Sequence, residues 1–527
     1  MQTFSEKIRK FVCFNQYTHI MRFKSLLLTG IMASLLTLPM YADKLVIMHT
    51  NDTHGKMIAE KASELGGVER RKVVIDSIRK AEKHSLLVDA GDDVQGFMYF
   101  AQFNGEVEYG AMNRLGYDIT IPGNHEFDNG IDSLYKYYNT LSAIKLNANY
   151  DFSKTILKDT FKEYTIKEYN KKKIAFIGLG CQPKGLISDK NIAGVIYHDP
   201  IAVGDSIARV LKSTKKADYV VVLSHLGYEA DYEYLPSDSL MALNSSYIDV
   251  IIGGHSHTDI NASTGNHQYI FKNKAGKNVL VAQTGEHGEY LGIVKINLDN
   301  LSSTPTSELI PIDSRYDGRT DAEFGKWLAG YTDKVNEVSA KVIGTSLASY
   351  AKKEVNPLTN WVADLIYQIG DSISDKKVDF AIGNVGGVRR DLPKGDVTVG
   401  LMLTMVPFAN YVCVIDLDGQ SVIDAFNVVA QRGGECVSKH VYATMKDGKI
   451  EQLLINGKPV DPNKTYTIAT INYIMEGGDN MPPMPKCTKL CNSDRYLKYD
   501  VIDIVKAMTA KGEPINPDTN PRMINIK

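Results

Sequence analysis

The chain has 527 residues, with 60 Lys and Arg against 62 Asp and Glu, and a formal net charge of -2. Hydrophobic residues are 43% and charged residues 23%, ordinary globular usage that excludes a wholly disordered, collagen-like or coiled-coil chain. The balanced charge, with no long basic run, argues against a dedicated binder of nucleic-acid polymers, and six Cys are too few for a disulfide scaffold.

Read in chain order, the first element is an address. Arg22 and Lys24 precede an apolar run from Ser25 to Leu38, and Pro39 and Tyr41-Ala42 come after it. A basic start, a short apolar stretch and a small residue at a cleavage point describe a secretory leader cleaved after Ala42, with Met21 as an alternative start. The run is shorter than the ~20 residues a membrane span needs. The expectation is a signal peptide over 1–42 and an exported chain, periplasmic or secreted, with no stable membrane insertion; an uncleaved anchor is the alternative. Cys436, Cys487 and Cys491 are available to a disulfide in an oxidising compartment, with no pairing readable.

From Lys44 to about Ile296, short apolar strands recur: Leu45–Met48, Leu86–Val88, Ile119–Ile121, Ile174–Leu179, Tyr219–Leu223, Val250–Ile252 and Val279–Ala282. Near-continuous apolar runs are expected of strands buried on both faces. Val68–Glu82 and Ile201–Lys212 have helical spacing. Asp313–Thr320 is polar and glycine-containing, a domain boundary, and Asp321–Val342 reads as a helix linking two halves. The second half shows a helix over Leu358–Ile369, strands at Phe380–Ile382 and Val412–Leu417, and a helix after Gly419. The organisation expected is therefore α/β, with a first domain at 43–312, a linker at 313–342 and a second α/β domain at 343–527.

The segments just beyond the strands are informative. They are Asn51-Asp52-Thr53-His54-Gly55, Asp89-Ala90-Gly91-Asp92, Gly123-Asn124-His125-Glu126-Phe127-Asp128, Ser224-His225 and Gly253-Gly254-His255-Ser256-His257. Carboxyl ends of strands in open α/β sheets form the ligand crevice. Five of the twelve His fall in these segments and no Cys does. Imidazole and carboxylate suit zinc, manganese or iron. Two such ions ~3.5–4 Å apart stabilise the attacking and leaving oxygens of an in-line displacement, and each lowers the pKa of its bound water so that hydroxide forms near neutral pH. Taken singly, a polar strand end is a capped turn; that reading does not explain His and Asp at all five.

These motifs resemble the calcineurin-type metallophosphoesterases, and specifically the exported two-domain 5'-nucleotidase family, over about residues 43–527. The resemblance implies a four-layer αββα sandwich followed by a nucleotide-binding domain. It implies one ion on Asp52, His54, Asp92 and His257 and another on Asp92, Asn124, His225 and His255, with Asp92 bridging. Some relatives carry Gln where this chain has His257. It further implies His125, paired with Asp128, as the catalytic acid. In the second half it implies a nucleoside pocket: Asn384 and Arg389 at the phosphate, Phe408 and Tyr473 around the base, Asn410 touching the base and Asp479 on the ribose. Lys353, where relatives often have Arg, and the loop Asn480–Pro483 depart from the family pattern. The implied activity is metal-dependent hydrolysis of nucleoside 5'-phosphates. The alternatives are a UDP-sugar or dinucleotide pyrophosphohydrolase, a 2',3'-cyclic nucleotide phosphodiesterase and, more remotely, a non-catalytic surface nucleotide binder. Among the other His, His49 reads as packed, His287 as a rim residue, and His84, His198, His267 and His440 as solvated.

Overall fold

A computed structural model describes residues 43–526 except 60–63, 96, 185, 188, 230–234, 353–354, 409, 482–483 and 494. The leader at 1–42, Lys353 and Pro482-Pro483 lie outside the described residues. No helix among the described residues is long and apolar enough to cross a membrane.

Two six-stranded sheets make up the first half. The first sheet runs in the order Thr306–Pro311, Tyr290–Asn297, Lys44–Thr50, Ser85–Asp89, Ile119–Thr120, Ile144–Lys145. Lys44–Thr50 pairs in parallel with Ser85–Asp89, so Thr50 and Asp89 end side by side. The second sheet runs Ile270–Lys272, Asn278–Ala282, Val250–Ile252, Tyr219–Ser224, Lys172–Leu179, Tyr164–Tyr169. Its central strands are parallel, which puts Ser224 and Ile252 at one edge of the sheet.

Strand alternation sorts side chains into layers. Leu45, Ile47, Leu86 and Val88 of the first sheet meet Phe176, Val221, Leu223 and Ile252 of the second in one sandwich core. The intervening Val46, Met48 and Leu87 face the other way, onto Val74, Ile75 and Met112 of covering helices. Ala175, Ile177, Val220 and Val222 likewise face Ala208, Leu211 and Met241 on the far side. The result is helix, sheet, sheet, helix, with runs apolar on both faces at the centre. His49 is fully buried within this stack with neither ring nitrogen paired, and burial pushes its imidazole down to about 3. Gly292 makes room for it, since a Cβ there would collide with its ring.

The connecting helix spans Ala322–Ser339, capped by the Asp321 side chain accepting from Phe324 N at 2.7 Å. It lies against the first half: Tyr99 Oη bonds Thr332 Oγ1 at 2.8 Å, Tyr331 Oη donates to Glu106 at 2.6 Å, and the Arg114 guanidinium stacks on Trp327. The strand Val342–Ser346 comes directly after it.

The second half centres on a four-stranded sheet, Phe380–Ala381, Thr465–Ile471, Val412–Asp418 and Thr488–Asn492, with helices Pro357–Ile373 and Gly419–Gln431 packed on it. Pro357 and the Asn356 capping box start the first of these helices. A smaller four-stranded sheet, built from residues 441–459 and 523–525, lies beyond. The described cysteines 181, 413, 436, 487 and 491 are free thiols. His198 is exposed as expected, but His84, His267 and His440 are half-buried: His84 pairs with Asp43, His267 edges onto Tyr228, and His440 stacks on Tyr367 at 3.9 Å between centroids.

Gly370 lets the helix Pro357–Ile373 approach the central strand, because a Cβ there would collide with Ala469 Cβ. Gly370→Ala should therefore destabilise the second half by about 1–3 kcal/mol through overpacking. Urea denaturation should show the drop in midpoint; an unchanged midpoint would mean the helix retreats without cost.

Candidate active site

Every residue singled out from the strand ends lies where its strand stops. Asp52 and His54 follow Lys44–Thr50, Asp92 follows Ser85–Asp89, and Asn124 and His125 follow Ile119–Thr120. From the opposite sheet, His225 follows Tyr219–Ser224, and His255 and His257 follow Val250–Ile252. The two sheets thus deliver their side chains to a common end of the sandwich.

The loops that carry them are unusual in backbone conformation. Asp52 (φ 50°), His54 (49°), Asp92 (59°), His255 (77°) and His257 (54°) all occupy the left-handed region. Each such non-glycine residue costs about 1–3 kcal/mol and persists only where its surroundings over-determine it. Here they do. Asp52 N donates to Gly91 O at 2.8 Å, His54 N to Asp92 O at 3.0 Å, and Gly55 N to Asp93 O at 2.8 Å, which ties the first loop to the second. His255 N donates to Asp52 Oδ2 at 2.9 Å and His125 N to Asp92 Oδ1 at 2.8 Å. Glu126, buried beneath, accepts from Asp92 N (2.9 Å), Asp93 N (2.9 Å) and Gly123 N (2.6 Å).

Three triplets have ligand atoms within 4.8 Å of one another: Asp52, His54 and His257; His54, Asp92 and His125; and Asp92, His225 and His255. The donor set fits divalent cations on three counts. His225 Nδ1 donates to Ala90 O at 2.7 Å, which leaves Nε2 to face the cradle; Nε2 is buried without a hydrogen-bond partner and lies 3.2 Å from Asp92 Oδ2. His54 Nε2 and His257 Nε2 point at each other across 3.0 Å, with Asp52 Oδ1 at 3.9 and 3.5 Å. Gly123 leaves open the space beside Asp92 Oδ1 and the His225 ring that a Cβ would fill. Imidazole nitrogens and carboxylate oxygens converging in a buried place suit a cation between them.

Burial and neighbouring charges shift these groups in opposite directions. Burial alone raises the Asp92 carboxyl, but the His225 and His125 imidazoles reverse that and hold it well below the usual aspartate range. Asp52 behaves likewise: burial raises it, and the bond from His257 and the charge of His225 bring it below its ordinary value. Burial lowers His125, yet Asp128 and Asp92 overcome this and lift it to about 9. Its Nδ1 lies 2.8 Å from Asp128 Oδ2, which also accepts from Gln95 Nε2 at 2.7 Å.

The second half closes over this cradle. A cavity of about 270 Å³ is walled on one side by Asp92, Asn124, His125, Asp128, His255 and His257, and on the other by Asn384, Arg389, Phe408, Asn410, Tyr473 and Asp479. The Phe408 ring stacks on His125 at 5.9 Å and 22°, and the Arg389 guanidinium stands 5.0 Å from the centre of the Phe408 ring. Tyr473 Oη donates to Asp479 Oδ1 and accepts from Asp479 N, both at 3.1 Å. Arg432 Nη1 donates to Asp479 O at 2.7 Å, and Asp479 Oδ2 is left without a partner. Glu435 accepts from Val385 N and so pins the loop that carries Asn384 and Arg389. Leu497 N and Lys498 Nζ bond Asn410 O (2.7 Å) and Pro407 O (3.1 Å), which fixes the Phe408 loop. His287 edges onto His54 and Phe97 beside the cradle. Reading the sequence missed Glu126, Glu435, Arg432 and Lys498. Glu126 lies inside a quoted motif; the others carry no local signal.

Sandwich and donor set together define a calcineurin-like phosphoesterase, and the model of that family matches residues 45–259. The model of the 5'-nucleotidase C-terminal domain matches residues 334–486, and the chain belongs to the two-domain 5'-nucleotidase family, phosphoric monoester hydrolases that use divalent metals. It is 29% identical over 516 residues to a 5'-nucleotidase of Vibrio vulnificus, covering 90% of this chain and 91% of that one. It is 27% identical over 521 residues to protein UshA of Escherichia coli, covering 90% and 92%. The crystal structure of a 5'-nucleotidase precursor from Thermus thermophilus superposes with a TM-score of 0.76 at 25% identity, over 92% of this chain and 99% of that one.

Glu126→Ala would leave three buried N–H groups without their acceptor. At about 1–3 kcal/mol for each buried group left unpaired, the thermal unfolding midpoint should fall measurably and the purified protein should retain less metal by elemental analysis. A variant with wild-type midpoint and metal content would show that Glu126 does not hold these loops.

Proposed function

We propose that this chain hydrolyses nucleoside 5'-monophosphates to nucleoside and phosphate in the cavity between its halves. The observation that carries this reading is that one cavity holds both a cation cradle and a set of groups suited to a nucleoside. One ion would be held by Asp52, His54, Asp92 and His257 and the other by Asp92, Asn124, His225 and His255; zinc and manganese suit these donors. When bound, such ions act as Lewis acids on the phosphoryl oxygens and the attacking water.

The chain's own residues do the rest. Asp128 holds His125 by Nδ1, leaving Nε2 as the ring atom available to a leaving oxygen. Protonated, that imidazole both neutralises charge building on the phosphoryl group and delivers the proton to the departing alkoxide. Arg389 and Asn384 orient the phosphate from the second half. Phe408 and Tyr473 offer faces to the base, Asn410 a polar contact, and Asp479 an acceptor for ribose hydroxyls through its unpartnered Oδ2. The leader pattern read in residues 1–42 supports an activity outside the cytoplasm.

Purified protein supplemented with manganese, cobalt or zinc should release phosphate from AMP, and His125→Ala should lower turnover by about 10²–10⁴-fold with metal content retained. No release with any of the three metals, or full turnover in the variant, would overturn the reading. Phe408→Ala should raise KM for AMP by the equivalent of about 1–3 kcal/mol of stacking while leaving KM for ribose 5-phosphate nearly unchanged. Equal losses on both substrates would remove Phe408 from the base pocket.

A further inference from the structure

The turn at Thr284–His287 stands against the cation cradle, and no motif marks it. We propose that Glu286 is a positioning residue for His257, fixing which imidazole nitrogen carries the proton so that the other is free to bind a cation. This inference rests on the cation sites proposed above and adds to them a residue outside the ligand set.

Two observations bear on it. Glu286 Oε2 lies 2.7 Å from His257 Nδ1, the ring nitrogen remote from the cradle. His257 Nε2, the other nitrogen, is the one 3.0 Å from His54 Nε2 and 3.5 Å from Asp52 Oδ1. A neutral imidazole whose Nδ1–H donates to a carboxylate presents its lone pair at Nε2. Such carboxylate–histidine pairs orient the ring and raise its basicity as a ligand.

The carboxylate is built into place. Thr284 N and Oγ1 both donate to Asn51 Oδ1, at 2.9 and 2.7 Å, and Asn51 Nδ2 donates back to Gly285 O at 2.8 Å. His287 N donates to Asp52 O at 2.7 Å. Glu286 is thus clasped on both sides by the two residues that come directly after the Lys44–Thr50 strand, one of them the candidate ligand Asp52. Gly285 N also donates to Thr258 O at 3.0 Å, next to His257. The turn is therefore tied by hydrogen bonds to the loops that carry the candidate ligands. His287 Nε2 is a weaker claimant on the same oxygen, at 3.5 Å.

An amide at position 257 would need no such partner, because a glutamine carbonyl offers its lone pairs in any case. An imidazole does need one, since its wrong tautomer presents N–H to the cation. The dependence on Glu286 should therefore exist only while position 257 is His, which makes the inference separable from a general effect of negative charge.

The test is competition of manganese-loaded full-length protein against a chelator, which reads affinity without turnover. Glu286→Ala should weaken the affected ion by about 10–100-fold. Glu286→Gln, whose carbonyl still accepts from Nδ1, should restore most of that loss. In a His257→Gln background, Glu286→Ala should change affinity less than about twofold, by the logic of a double-mutant cycle. An equal loss with and without His257, or no loss in Glu286→Ala, would overturn the inference. Asp92→Asn serves as the control: if it leaves manganese binding intact, the cation sites themselves fail, whereas loss in Asp92→Asn with none in Glu286→Ala rejects Glu286 alone.

Discussion

Two carboxylates, Asp52 and Asp92, sit buried at the meeting of two sheets. Anions in such a place are costly unless compensated, and the local architecture can be understood as that compensation. Imidazoles from the opposite sheet approach them, backbone N–H groups of His255 and His125 donate to them, and five loop residues accept a strained backbone to bring this about. The sandwich around them supplies rigidity. Its three apolar cores leave the strand ends few ways to shift, so the strain in the loops stays where it is.

This division of labour also explains the second half. The cradle presents charge and lone pairs but little that distinguishes one phosphoester from another. Aromatic faces, an amide and a carboxylate come from the far wall of the cavity, held by their own set of supports at Glu435, Arg432 and Lys498. The stack of Phe408 on His125 is a point at which the two walls touch across the cavity. The chemistry proposed here needs that contact to be compatible with an entering nucleotide, since the ring that would receive a base now lies on the imidazole that would receive the leaving oxygen.

Much of this was legible in the sequence, and the part that was not has physical causes. Central strands announced themselves because burial on both faces leaves a continuous apolar run, as in Tyr219–Ser224. Edge strands did not. Tyr164–Tyr169 is only half-buried and mixes Lys and Glu with Tyr, so it reads as loop until it is seen pairing with Lys172–Leu179. The small sheet at 441–459 escaped for the same reason: Lys449–Ile455 is largely exposed or half-buried and opens with Lys, Glu and Gln. In the site, residues just past the strands were conspicuous by type and spacing. Their supports were not, because a carboxylate that accepts backbone N–H groups, as Glu126 does, or holds a ring from a separate turn, as Glu286 does, leaves no periodic trace. The half-buried state of His440 was hidden similarly, since its stack on Tyr367 joins positions far apart in the chain and no local pattern encodes it.

The seam through the cavity has an evolutionary meaning. Because the groups proposed to break the bond and those proposed to read the substrate are encoded in separate stretches of chain, with separate scaffolding, the second can be rewritten by mutation while the first is left alone. A lineage built on this plan can change its diet without having to reinvent its teeth.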